Sequence, residues 1–220
     1  MGRPAHAASA LLALAVGCAS VPDRPPHEAG RFRASDLVEL VRIEPKVRLD
    51  VRYATERNFV GRPVYRQARV FLQRPAAEAV ARAHRGLAAR GFGLLVFDGY
   101  RPWSVTRLFW EVTPRHLRDF VANPRQGSRH NRGCAVDLTL FDLATGREVE
   151  MPTPYDDFTE KAAQDYAGAT PAQAAHRAIL RDAMVKEGFL VFPSEWWHFD
   201  YGSWREYPIL DVPFEELAGR

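Results

Sequence analysis

Three short segments of this chain place polar groups where ordinary structure has no use for them. In Ser128-Arg129-His130-Asn131-Arg132-Gly133-Cys134-Ala135-Val136-Asp137, the aspartate falls inside an apolar run, Cys134 to Phe141, whose Val136, Leu138 and Leu140 require burial in a strand. Aspartate is depleted in strands, and a buried carboxylate needs a cation or several donors. His130 stands seven residues earlier, across a loop containing Gly133, so the pair could reach one metal ion. A salt-bridged aspartate and an unrelated loop histidine fit this segment equally well. The second segment, Glu195-Trp196-Trp197-His198-Phe199-Asp200-Tyr201, sets a glutamate and a histidine three apart among four aromatic residues. A dry wall of that kind raises a carboxyl pKa towards the range that suits proton transfer. A regular strand would point positions 195 and 198 to opposite faces, so both reach one site only if the chain bends near Pro193-Ser194. An aromatic core strand with a surface glutamate is the plainer alternative. The third segment, Phe97-Asp98-Gly99-Tyr100-Arg101-Pro102, is a tight turn whose proline and glycine present Arg101 from a fixed backbone. Such an arginine can clamp a carboxylate or a developing oxyanion, or simply pair with Asp98.

Taken together, His130, Asp137 and His198 make three protein ligands and leave a fourth tetrahedral position to water. That is the open coordination of a catalytic zinc, one ion per chain. Glu195 then serves as the base for water attacking a carbonyl, and Arg101 stabilises the oxyanion, which describes metal-assisted amide hydrolysis.

The elements that must hold these groups are legible in outline. Val47 to Tyr53 alternates with period two and reads as a half-buried strand. Residues 75–90 begin with proline and stop before Gly91, as helices do, with His84 expected at the surface or its boundary. Gly93 to Asp98 is a buried strand, and a helix follows with Ser104 as its cap. Cys134 to Phe141 is a further strand, and Thr170-Pro171-Ala172-Gln173 opens a helix with a capping box that Gly188 ends. Phe189 to Phe192 and Trp196 to Tyr201 close the domain as strands. Without a regular βαβ rhythm, this order predicts an α+β domain: a small antiparallel sheet, helices packed on it, and the zinc site at the sheet.

Composition bounds the rest. At 220 residues, 46% hydrophobic and 26% charged, the chain fits one globular domain and is too apolar for disorder. A net charge of +3 is a weak field and gives no reason to expect nucleic acid as a partner. Residues 1–17 read as a signal peptide: Arg3, then the uncharged Ala7 to Val16, too short to span a bilayer. Ala15-Val16-Gly17-Cys18 resembles a bacterial lipobox, with Ala15 where leucine is usual, and makes Cys18 a lipidation site. An ordinary cleavable signal followed by a chance cysteine is the alternative. Both readings give an exported protein; the first puts it in the periplasm, lipid-anchored to a membrane. Residues 18–34, rich in proline, glycine and charge, read as a tether, and 35–220 as the catalytic domain.

The segments SRHNRGCAVDLTL, FDGYRP and EWWHFDY resemble the signature blocks of zinc D-alanyl-D-alanine dipeptidases of the VanX type, which are related to peptidoglycan D,D-carboxypeptidases. The resemblance extends to VRYATERNFVGRPVY at 51–65 and MPTPYDDF at 151–158, and so spans most of residues 45–205. It implies hydrolysis of D-Ala-D-Ala to D-alanine in cell-wall turnover or salvage. The implied roles are zinc on His130, Asp137 and His198, Glu195 as base and Arg101 steadying the transition state. Ser128 and Asp156 would hold the substrate's free ammonium, and Tyr53 would help line a small pocket. Two departures stand out: Cys134 replaces the more usual serine, and Asp157 beside Asp156 leaves open which carboxylate meets the ammonium. The alternatives are a carboxypeptidase or endopeptidase trimming peptidoglycan stems, and a non-catalytic zinc-stabilised domain that binds wall peptides.

Overall fold

The computed structural model describes residues 21–217, so the leader and Cys18 lie outside the described residues. The apolar runs become seven strands: β1 (Leu37–Glu39), β2 (Arg48–Leu49), β3 (Phe71–Gln73), β4 (Phe92–Asp98), β5 (Ala135–Asp142), β6 (Phe189–Phe192) and β7 (Glu195–Tyr201). β1 pairs with β3, and the other five form one sheet in the order β2-β4-β5-β7-β6. Every pairing in that sheet is antiparallel except β2 with β4. The architecture is the expected α+β one, but the sheet is mixed, because the chain between β2 and β4 crosses over through β3 and a helix instead of turning back as a hairpin.

Five helices accompany the strands among the described residues: α1 (Leu40–Ile43), α2 (Arg74–Ala88), α3 (Trp103–Val112), α4 (Pro171–Lys186) and α5 (Phe214–Leu217). α2 buries an alanine-rich face, Ala76, Ala79, Val80, Ala83 and Leu87, which lets it lie close along β4. α4 starts on the expected capping box, in which Gln173 N–H donates to Thr170 Oγ1 at 3.2 Å and Thr170 N–H donates to Gln173 Oε1 at 2.9 Å. It packs on α2 and on β5, β6 and β7.

Several expectations change. The period-two stretch 47–53 is a strand only at Arg48–Leu49; the chain leaves the sheet at Val51 and winds a 3-10 turn, Arg52–Ala54, that buries Tyr53. α3 begins one residue before Ser104, because its first amides are met from the C-terminal segment. Trp103 N–H donates to the Leu210 carbonyl at 3.1 Å, and Ser104 N–H to Asp211 Oδ1 at 2.8 Å. His84 is buried, not at the surface, and its Nδ1 accepts the Leu94 N–H of β4 at 3.1 Å. The part of the tether that is described, from residue 21, lies against the domain: Arg33 N–H donates to the Glu206 carbonyl at 2.8 Å, and the Glu28 carboxylate accepts the Ile209 N–H at 2.9 Å.

Two irregularities in the sheet decide where the polar groups go. Val96 pairs with Leu138 and Asp98 with Asp137, so Phe97 is an extra residue on β4 and Asp98 comes to stand opposite Asp137. Val191 pairs with Phe199 and Phe192 with Glu195, so β7 bulges over residues 196–198. The turn after β4 is tight as well. A methyl group on Gly99 would stand 2.7 Å from Val70 Cγ1 and 2.8 Å from the Phe71 carbonyl oxygen, which accepts the Tyr100 N–H at 2.7 Å. Gly99→Ala is therefore expected to lower the free energy of unfolding by about 1–3 kcal/mol. Urea denaturation reads this directly, and an unchanged midpoint would mean that the turn yields where its backbone contact says it does not.

Candidate metal centre

Asp137 and His198 occupy directly paired positions on β5 and β7, so their side chains leave the sheet on one face. His130 arrives from the loop before β5, on a 3-10 turn, His130–Arg132, that Gly133 ends with a left-handed φ of 68°. A side chain at Gly133 would run into Leu37 Cδ2 at 2.4 Å, so the loop closes here only with glycine. The result is three converging donor atoms. His198 Nδ1 is 3.0 Å and His130 Nε2 3.3 Å from Asp137 Oδ1, and the two imidazole nitrogens are 3.2 Å apart.

The remaining atoms of these three groups are committed elsewhere. His130 Nδ1 lies 2.7 Å from the Gly99 carbonyl oxygen and so carries the proton, leaving Nε2 with its lone pair turned inward. His198 Nε2 lies 2.9 Å from Asp200 Oδ1, which leaves Nδ1 for the centre. Tyr155 donates its hydroxyl to Asp137 Oδ2 at 2.9 Å, freeing Oδ1. With their outer atoms engaged, His130 Nε2, His198 Nδ1 and Asp137 Oδ1 are the three atoms left facing one another, and a cation between them would satisfy all three. Donors about 2.0–2.1 Å from a tetrahedral zinc stand roughly 3.3–3.4 Å apart, close to the spacing seen here. All three residues are buried, and they are the group of side chains able to hold a metal among the described residues. Two nitrogens, one oxygen and tetrahedral spacing fit zinc.

Around this centre the cavity carries acid–base and charge-stabilising groups. The bulge in β7 brings Glu195 to the same side as His198, with Oε2 3.8 Å from His198 Nδ1, so the bend lies within the strand and not at Pro193-Ser194. Burial pushes the Glu195 carboxyl up to about 7, against the opposing pull of His198. Arg101 is held by Asp98, to which Nε and Nη2 donate at 3.0 and 2.8 Å, and its Nη2 is 3.7 Å from Asp137 Oδ2. Its guanidinium also lies over the Phe109 ring at 4.8 Å and the Tyr53 ring at 5.3 Å. The turn arginine is thus both paired to Asp98 and presented to the cavity.

Tyr53, Ser128 and Asp156 line this cavity too. Asp156 has a left-handed φ of 60° without being glycine, a strain of order 1 kcal/mol or more that points its carboxylate inward. The Tyr53 hydroxyl is shared between its two oxygens at 3.1 and 3.0 Å. Burial, then the nearby charge of Asp137, holds the Asp156 carboxyl well above the usual range, a shift that a cation beside it would reverse. Asp157 instead accepts the Thr159 hydroxyl and is no part of the cavity lining, which separates the adjacent pair. Ser128 Oγ accepts the His130 N–H at 3.2 Å. Cys134 is fully buried, and burial pushes its thiol up to about 12, so it takes no part as a nucleophile or ligand. The sequence reading had no role for Asp200 or Tyr155. Asp200 was findable, since it lies two residues from His198 on one strand and therefore on one face, whereas Tyr155 reaches Asp137 from a loop with no periodicity to read.

The peptidase M15 family, described as D-ala-D-ala dipeptidase, matches residues 33–215 of the chain. A D-alanyl-D-alanine dipeptidase of Escherichia coli is 32% identical over 180 residues, 82% of this chain and 92% of that one. Proteins of the same name from Streptomyces coelicolor and Enterococcus faecalis are 35% and 34% identical over 77% of this chain, covering 91% and 89% of their own lengths. A solved structure of an LD-carboxypeptidase aligns at 20% identity over 60% of this chain and 59% of its own, with a TM-score of 0.41.

The hydrogen bond from His198 to Asp200 generates a prediction. Asp200→Asn keeps the shape but removes the charge that orients the imidazole, and is expected to weaken zinc binding by about 10–100-fold. Competition with a chromophoric chelator measures it; affinity equal to wild type would mean that Asp200 does not orient the ligand.

Proposed function

The chain belongs to the M15 peptidase family of D-ala-D-ala dipeptidases, a metallopeptidase family, and on that premise we propose that it hydrolyses free D-Ala-D-Ala to D-alanine with one zinc ion held by His130, Asp137 and His198. The observation that carries the choice of substrate is Asp156, a half-buried carboxylate whose nearest donor is the neutral Tyr53 hydroxyl, short of a cation in the same cavity as the metal donors. A free α-ammonium supplies that cation. An acylated amino terminus, as in a longer stem peptide, would close the cavity over the carboxylate without supplying a cation, which is disfavoured.

The chain's own residues divide the work by position. Ser128 and Asp156 receive the ammonium end, Tyr53 orienting the Asp156 carboxylate. Bound zinc supplies Lewis-acid activation of water and of the peptide carbonyl. Glu195, with its carboxyl near neutrality, takes the proton from the attacking water and returns it to the departing amine. Arg101, immobilised by Asp98 and two aromatic faces, donates to the oxyanion that forms as the carbonyl becomes tetrahedral. The signal-like leader and Cys18 support an exported, lipid-anchored location, where dipeptide released from the cell wall is within reach of the enzyme.

Glu195→Gln keeps the shape of the site and removes the base, and is expected to cut kcat about 10²–10⁴-fold while zinc content stays at one per chain. D-Ala-D-Ala is expected to be hydrolysed at least about 100-fold faster than its N-acetyl form, the equivalent of one lost charged pair of about 3 kcal/mol. Comparable rates on the two substrates would transfer the assignment to a carboxypeptidase acting on stem peptides.

A further inference from the structure

Glu28 lies ahead of the matched family region, which begins at residue 33, yet its carboxylate is built into the loop that carries His130. Oε2 accepts the Ile209 N–H at 2.9 Å and Arg132 Nη1 at 3.3 Å, and Oε1 accepts Arg132 Nη2. Arg132 ends the 3-10 turn that begins at His130, and it is buried, with its Nη1 also donating to the Tyr207 carbonyl. One carboxylate therefore joins three separate stretches: the N-terminal segment, the metal-bearing turn and the chain at 207–209. The segment is stitched down a second time at Arg33, whose N–H reaches the Glu206 carbonyl at 2.8 Å and whose guanidinium pairs with the Glu206 carboxylate at 2.6 Å. Pro22, Pro25 and Pro26 stiffen it, which reduces the entropy lost on docking.

The turn under Glu28 has little freedom of its own. The His130 carbonyl accepts the Arg101 N–H at 3.0 Å and the Arg132 carbonyl accepts Gln73 Nε2 at 2.9 Å. Asn131 donates to the Arg101 carbonyl at 2.9 Å, and its own carbonyl accepts the Leu210 N–H at 2.9 Å. His130 and Arg132 are the two ends of one three-residue 3-10 turn, so the anchoring of the Arg132 guanidinium bears on the same short backbone that carries the imidazole. Only Glu28 offers Arg132 a carboxylate among the ion pairs of the described residues.

We propose that Glu28 is a positioning residue for the metal centre: the segment before the family domain acts as a strap that holds Arg132 in place and, through it, the angle at which His130 meets the metal. The structural unit then reaches back at least to Glu28, ahead of the family match at residue 33. The proposal rests on His130 being a zinc ligand.

The test uses the full chain loaded with zinc and three variants: Glu28→Ala, Glu28→Gln and, as a distant control, Glu187→Gln, which breaks an ion pair with Arg82 at 2.7 Å between α4 and α2. Two quantities are read, the rate of zinc transfer to a chelator and the kcat and KM for D-Ala-D-Ala. Glu28→Ala is expected to release zinc about tenfold faster, within the range of outer-shell effects on metal sites, and to lower kcat more than it raises KM. Glu28→Gln keeps the acceptors for Ile209 and Arg132 but loses the charge, so it should fall between the alanine variant and wild type, about two- to threefold from wild type in both, and keeps the test open if the alanine variant does not fold. Glu187→Gln should match wild type in both. Zinc release and kcat at wild-type values in the folded Glu28 variants would overturn the proposal even if their melting temperatures fall. A wild-type chain that binds no zinc would instead overturn the metal assignment on which it rests.

Discussion

Asp137 lies in the middle strand of a five-stranded sheet with 3% of its surface exposed, and an ionised carboxylate in such a place costs several kcal/mol unless cations and donors compensate it. Nearly every unusual feature of the fold can be traced to that requirement. Burial alone would raise the Asp137 carboxyl, but the His130 and His198 imidazoles outweigh it and hold the group well below the usual carboxylate range. Arg101 approaches the second oxygen at 3.7 Å and Tyr155 donates to it at 2.9 Å. Each compensating group needs support in turn: Asp98 for Arg101, Asp200 for His198 and the Gly99 carbonyl for His130. The site is a nested set of such pairs, and its edge is reached at Asp156, whose carboxylate is met by the neutral Tyr53 hydroxyl.

Both bulges serve this arrangement. Without the extra residue at Phe97, the period of two would turn Asp98 away from Asp137, and Arg101 would have no anchor beside the metal donors. Without the bulge over 196–198, Glu195 and His198 would lie on opposite faces. A base and a ligand three residues apart on one strand is an arrangement regular backbone cannot supply. Placing both on a strand and not on a loop fixes the angle between them, as the proposed proton transfer would require.

How much of this the sequence discloses follows from the range of each signal. The three polar segments announce themselves because each breaks a local rule: an aspartate in an apolar strand, a glutamate among tryptophans, an arginine fixed by a following proline. α4 declares its start through Thr170 and Gln173, whose interaction is confined to one turn. Signals fail where the deciding partner is distant. α3 takes its first hydrogen bonds from Leu210 and Asp211, about a hundred residues away, so Ser104 had no cap to fill. The alternation at 47–53 ends early because the burial of Tyr53 beside Asp156 outweighs further pairing. A bulge leaves no trace in residue types, so a bend was expected beside Pro193 and is found inside β7. Segment 18–34 has the composition of a linker, and the partners of Glu28, Arg132 and Ile209, lie more than a hundred residues on.

The same accounting bears on how the metal and the fold are coupled. Unfolded, the imidazoles and carboxylates of the site are solvated and far apart, and they oppose nothing. Folded, Asp137 Oδ1 and the two imidazole nitrogens meet at 3.0–3.3 Å, while Asp98 and Asp200 lie buried in the same region. The sheet and its aromatic packing must therefore carry a local penalty, and an ion that binds only the folded state returns it as stability in proportion to RT ln(1 + [M]/Kd). An ion neutralises the Asp137 end of that cluster but leaves Asp156 unmatched, because its nearest donor is the neutral Tyr53 hydroxyl. Burial holds that carboxyl well above the usual range, and a cation beside it would lower it again. On the proposed function, a substrate ammonium would complete the set of charges, and the interaction that selects the dipeptide would be the last member of the series that begins with Asp137.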